Sequence, residues 1–273
     1  MNVDDESPFC RLHEQSPQIY CFSTGRIPPF RLPQDFPLNT TTLLYGVPSG
    51  CSFGSIVALE WLGLPYRLTR IVMPQEVISD DYRRLNPVAE TPTLITAGGE
   101  TISESMAILN HLGAHGVGTG LAFAQGTPDF DRLNQMLAFL NTTFFNAFSP
   151  LWHALEHGSE GAEQRVLTDY GRGKVERAHA VLERLLGDRP WLLGEQRTLA
   201  DAYFIGIARW TRYHDVADRR DYPNLQRLFE KLETDPAVIF AHAIEAERPA
   251  VSAGGFVGHV SLQDVLEPFR TAA

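Results

Sequence analysis

The hydrophobic period of this chain changes once, and that change limits the folds open to it. From Thr42 to Leu109 short apolar runs alternate with helical stretches. Thr42–Gly46 is a short strand that runs into the turn Val47-Pro48-Ser49-Gly50, and Cys51–Gly63 reads as a helix with a glycine stop. Tyr66–Val72 alternates as a second strand and a polar helix covers about 79–85. Beyond Asn86-Pro87 come the strand Thr93–Thr96, a turn at Gly98-Gly99, another short strand and a helix opening at Ser103. The order is β-α-β-α-β-β-α within residues 42–118. Gly116–Pro128 is a glycine-rich connection, the composition of a domain boundary. After it, Phe130–His157, Glu163–Leu186, Leu199–His214, Asn224–Thr234 and Pro236–Ala246 all repeat at 3.6 residues, and none alternates. An α/β domain at 42–118 is therefore expected to precede an all-α domain at 127–246. The proline-rich 1–41 reads as an irregular arm. Residues 247–273 read as an irregular C-terminal extension with one candidate turn of helix around Leu262–Leu266.

Composition removes several function classes. The 273 residues suit two modest domains of the usual size, and 23 Lys+Arg against 33 Asp+Glu leave a net charge of −10. Without a basic stripe the chain is not expected to bind nucleic acid or an anionic membrane surface. No run of apolar residues is long enough to span a bilayer, and the acidic start lacks the basic segment of a secretory signal. Cys10, Cys21 and Cys51 are too few for a disulfide scaffold and show no zinc spacing. Free thiols in a reducing, cytoplasmic setting are expected.

Three places can carry chemistry. Cys51 follows a strand and a Pro/Gly turn at the start of a helix, where unpaired amides and the dipole favour a thiolate, and Ser52 and Ser55 add hydroxyls. A small buried hydrophobe is the competing reading of Cys51. Thr91-Pro92 precedes a strand, so its turn is either an ordinary trans one or a cis one that frees Thr91 to pair with an extended, peptide-like ligand. Glu104-Ser105 opens a helix and either caps it or holds a ligand's ammonium and carboxylate. Elsewhere the bland readings are preferred. His153 and His157 share a helical face without a third metal ligand at a fixed spacing, so no metal is expected. Phe144, Phe145, Phe148 and Trp152 fit a core stripe as well as an apolar pocket. Asp201 reads as a capping residue with Thr198, and Glu60 and Asp80-Asp81 read as solvated faces.

Taken in order, "LYGVPSGCSFGSIVALEWLGLPY", "LNPVAETPTLI", "ISESMAILNHL" and "WLLGEQRTLADAYFIGIARW" resemble the glutathione transferase family, and the Pro-Ser-Gly-Cys-Ser turn looks most like its beta-class bacterial members. The resemblance implies a thioredoxin-like N-terminal domain, an all-helical second domain, glutathione as cosubstrate, a homodimer and a detoxifying conjugation or thiol–disulfide exchange. A non-catalytic interaction module is the alternative. The resemblance further implies that Cys51 faces the glutathione sulfur with Ser52 nearby, and its place at a helix N-terminus predicts a lowered thiol pKa. Thr91, before a cis Pro92, would pair with the cysteinyl backbone, and Glu104 and Ser105 would hold the γ-glutamyl end. Where beta-class members carry a His-Lys pair this chain has Phe145 and Asn146, which with Trp152 would line a second-substrate pocket. No lysine lies between Tyr66 and Asn86, so Arg70 or Gln75 is expected to take the glycyl carboxylate. Tyr45 lies in the strand before the turn, poorly placed to reach the sulfur.

Overall fold

Five consecutive residues of β1 (Thr41–Val47), Thr42 to Gly46, are buried, so both faces of this strand are covered. The structure, a computed structural model, describes residues 40–271 except Pro48 and Ser159; the arm over 1–39, with Cys10 and Cys21, lies outside the described residues. After β1 come α1 (Phe53–Leu62), β2 (Tyr66–Val72), α2 (Asp80–Leu85), β3 (Thr93–Ile95), β4 (Thr101–Ser103) and α3 (Ser105–Gly116), in the expected order. β2 runs parallel to β1, with Leu43 opposite Leu68, and β3 and β4 are antiparallel. The helical region holds α4 (Pro128–Phe139), a π-helical segment at Leu140–Phe145, α5 (Ser149–Glu156), α6 (Gly161–Leu186), α7 (Leu199–Ala208), α8 (Trp210–Tyr213), α9 (Pro223–Glu233) and α10 (Pro236–Glu245).

The C-terminal residues depart from expectation. They form β5 (Phe256–His259), parallel to β2, and α11 (Leu262–Thr271), so the sheet has the order β4-β3-β1-β2-β5. Alternation along β1 divides the core. Leu43 and Tyr45 join the larger cluster with α1, α3 and α7, while Leu44 joins Ile71, Tyr82 and Leu85 in a smaller one. Val265, Leu266 and Phe269 of α11 complete that smaller cluster.

Glu60 fixes this return of the chain. Far from a solvated face, it is 5% exposed and accepts hydrogen bonds from the Tyr66 hydroxyl (2.5 Å), the Ser252 hydroxyl (2.7 Å) and the amides of Ala253 (3.0 Å) and Gly254 (2.9 Å). A Cβ on Gly254 would stand 2.5 Å from the Glu60 carbonyl, so only glycine lets the tail approach α1 this closely. The Tyr66 amide then donates to Gly255 O and the Val260 amide to Leu68 O, both at 3.0 Å. A four-residue strand is too short to show a period, and it exists because the edge of β2 is available to it.

α7 lies on α1 through glycines: a Cβ on Gly54 would be 2.6 Å from Ala202 O, and one on Gly206 would be 2.9 Å from Gly54 N. Asp201 at its N-terminus is fully buried and accepts from the amides of Leu192 (2.9 Å) and Thr198 (2.8 Å), so the capping reading holds. Burial pushes its carboxyl up to about 6 against these bonds.

Replacing Glu60 by Ala should take an acceptor from two amides and two hydroxyls and leave a void. The expected loss is about 3 kcal/mol or more in urea unfolding, together with faster amide exchange over 252–260 than over β1. Unchanged unfolding would show that the tail docks without this anchor.

Candidate active site

A cavity of about 920 Å³ opens between the first α/β elements and the helices that follow. Cys51, Thr91, Pro92, Glu104 and Ser105 line one side, and Phe145, Asn146 and Trp152 line the other. The sequence readings thus converge on one place, with Ser52 the exception. Ser52 is fully buried, stands as the N-cap of α1, and its hydroxyl accepts from the Gly46 amide at 3.4 Å, outside the cavity lining.

The turn that carries Cys51 is held from the helical side. The Trp210 indole N–H donates to Ser49 O and the Arg209 guanidinium donates to Gly50 O, both at 2.8 Å. Arg209 in turn pairs with Glu245 at 2.5 Å and lies over the Phe53 ring at 4.1 Å. Cys51 is half-buried, and its thiol does not have the expected lowered pKa. Burial pushes it up to about 12, the Glu90 carboxylate adds to the rise, and Arg209 and a backbone hydrogen bond offset only part. Arg209, which lowers the thiol pKa, is itself paired with Glu245.

The Thr91–Pro92 bond is cis. Glu104 has φ 70° and ψ 122°, a conformation uncommon outside glycine, and its side chain makes no cap bond, so the capping reading fails there. Ser105 is 7% exposed, with its hydroxyl 3.5 Å from Cys51 O.

On the far wall the Phe145 ring packs on Trp210 with centroids 5.2 Å apart, and Trp152 stacks on Tyr213 at 5.1 Å. Asn146 accepts from the Ser149 hydroxyl at 2.8 Å. Phe144 and Phe148 are fully buried core residues outside the lining. His153 and His157 stack at 4.2 Å at the cavity edge, and among the described residues no group of three or more His, Cys, Asp or Glu is placed to hold a metal ion.

Neither expected carboxylate partner is present. Arg70 pairs with Glu247 at 2.7 Å in a separate cavity of about 520 Å³, and Gln75 is exposed and does not line the first cavity. Tyr45 faces that second cavity, its hydroxyl 3.3 Å from His259 Nε2. Glu90, Glu104 and Glu156 line the first cavity, and among the described residues no Lys or Arg does. Glu90 itself titrates high, through burial and the charges of Glu156 and Glu104.

Several site residues escaped the sequence reading: Glu90, Asn141, Tyr203 and the Arg209-Trp210 clamp. The last two lie within the "ADAYFIGIARW" stretch, yet their reach to Ser49 and Gly50 crosses about 160 positions of chain.

Two family models match the chain, glutathione S-transferase N-terminal domain over residues 48–115 and glutathione S-transferase C-terminal domain over 137–236. The chain belongs to the glutathione S-transferase family. This transferase is similar to glutathione S-transferase GST-4.5 of Xanthomonas campestris, 29% identical over 75% of this chain and 98% of that protein. It is also similar to the Escherichia coli disulfide-bond oxidoreductase YfcG, 28% identical over 71% of this chain and 91% of the relative. Among solved structures, a sphingomonad glutathione S-transferase complexed with glutathione covers 75% of this chain and 98% of its own, at 28% identity and a TM-score of 0.65.

Because the high thiol pKa stems partly from a carboxylate, iodoacetamide should alkylate Cys51 slowly at pH 7 in the ligand-free transferase and steadily faster as pH rises. Glu90→Gln removes a negative charge, lowers the thiol pKa and should speed the reaction severalfold at fixed pH. A rate for Glu90→Gln at or below wild type would contradict the electrostatics.

Proposed function

We propose that the transferase binds glutathione across the cavity floor and uses the glutathione thiolate as nucleophile, with Cys51 as a protonated partner to that sulfur. The observation that carries this reading is the convergence of Cys51, the cis Thr91–Pro92 bond and Glu104-Ser105 on one cavity. The glutathione-bound sphingomonad relative supports the same cosubstrate. Extended glutathione lies with its cysteinyl backbone on Thr91, its γ-glutamyl carboxylate on Ser105 and its ammonium on Glu104.

A Cys51 thiol with a pKa near 12 keeps its proton at neutral pH. It therefore donates S–H to the glutathione sulfur and stabilises the thiolate that has lost its own proton to solvent. In conjugation that thiolate bonds to carbon as the electrophile's leaving group departs with the electron pair. In exchange it bonds to one sulfur of a disulfide and releases the other as thiolate; the YfcG resemblance favours keeping both reactions in view. The aromatic wall of Phe145, Trp152 and Tyr213 suits an apolar acceptor, and the three carboxylates favour neutral or cationic acceptors over anionic ones. The acidic, cysteine-poor composition supports a cytoplasmic setting, with no helix among the described residues long and apolar enough to cross a membrane. The family supports a homodimer, which sedimentation checks, and a role in detoxification.

Ser105→Ala should weaken glutathione binding by about 1–3 kcal/mol in calorimetry, and an unchanged affinity would remove the γ-glutamyl assignment. Cys51→Ser, which keeps a donor, should retain most of the conjugation rate, whereas Cys51→Ala should lower kcat about tenfold. Equal loss in both variants would point instead to Cys51 as the nucleophile.

A further inference from the structure

Asn141 and Tyr203 meet in the cavity without having been singled out by any motif. Tyr203 is 1% exposed and its hydroxyl donates to Asn141 Oδ1 at 2.6 Å, and both residues line the cavity with Cys51 and Ser105. The position of Tyr203 is set by the contact of α7 with α1: a Cβ on Gly54, three residues after Cys51, would lie 3.1 Å from Tyr203 Cα. Burial and the charges at Cys51 and Glu104 push the Tyr203 pKa up, so the hydroxyl keeps its proton and remains the donor in this pair. Asn141 belongs to the π-helical segment Leu140–Phe145, which also sends Thr142 and Phe145 to the cavity. Segments of this kind shift side chains out of α-helical register and recur at functional sites. With Oδ1 occupied, the amide presents its Nδ2 hydrogens, and among the described residues nothing accepts them.

We propose that Asn141 is the hydrogen-bond donor with which the helical region serves the sulfur anion in this cavity, with Tyr203 as the residue that positions it. A neutral donor fits a cavity to whose lining the described residues bring no Lys or Arg, and it acts without a proton of its own to titrate. The proposal rests on the glutathione reading for the catalysed reaction, whereas its action on the Cys51 thiolate is independent of glutathione.

Asn141→Asp keeps an acceptor for Tyr203 and removes the Nδ2 hydrogens but adds a carboxylate, whereas Asn141→Ala removes the donor without adding charge, so the two together separate loss of the donor from added charge. Full-length wild type, Asn141→Asp, Asn141→Ala and Tyr203→Phe are compared in three measurements: the pH profile of Cys51 alkylation by iodoacetamide, glutathione affinity by calorimetry, and kcat with an activated aryl chloride. The expected result is that Asn141→Asp melts like wild type and binds glutathione within about threefold, while alkylation at fixed pH and kcat each fall about tenfold or more. Asn141→Ala should show a smaller loss and Tyr203→Phe a loss in the same direction. Wild-type alkylation and kcat in Asn141→Ala would overturn the proposal, as would losses confined to Asn141→Asp or to the melting temperature. Failure of the wild type to bind glutathione would remove the cosubstrate reading alone, and the alkylation profile would still decide the role of Asn141.

Discussion

The buried pair of Arg209 and Glu245 ties the two halves of this molecule to one turn. Each side chain is 11% exposed, so the guanidinium would be a costly charge without its carboxylate. With the pair formed, one remaining N–H of Arg209 reaches the Gly50 carbonyl, and the plane of the group covers Phe53 at the start of α1. Trp210, the next residue, holds the Ser49 carbonyl. The strand–turn–helix that presents Cys51 is thus shaped by α7, α8 and α10, from the far end of the chain. The glycine contact between α1 and α7 makes this possible, because any larger residue at Gly54 would push the clamp away from the turn.

That arrangement explains the chemistry at Cys51. A cysteine just ahead of a helix gains from the dipole, but the gain is modest and falls off within a turn. Here it competes with burial beneath the helical wall and with Glu90, while the nearest cation is committed to Glu245. The site therefore works with neutral donors and fixed backbone. Its negative lining is borne by side chains whose mutual repulsion a bound ammonium can relieve.

What could be read along the chain was whatever local periodicity encodes. The strands β1 to β4, α1 to α3 and the long helices fall where runs of period 2 and 3.6 place them, and Thr198–Asp201 closes its box within four residues. Cys51, Thr91, Glu104 and Ser105, which line one cavity, draw attention along the chain because each sits where an element begins. The misses are non-local. Glu60 looks like any helix-surface glutamate until Ser252–Gly254 folds back onto it, and Arg70 looks free until Glu247 arrives. Asn141 and Tyr203 lie on different helices, so neither has a sequence neighbour that marks it.

The return of β5 and α11 has a consequence for biosynthesis. Phe269 packs against a sheet whose first strand begins at Thr41, so during synthesis the α/β region lacks an edge strand and part of one apolar face until β5 and α11 have been made. During translation Leu44, Ile71 and Ile95 wait only partly covered while the helices that carry the clamp are still being made. The α/β half is not an autonomous cassette: cutting or grafting the chain at the connection after α3 would separate a sheet from its own last strand.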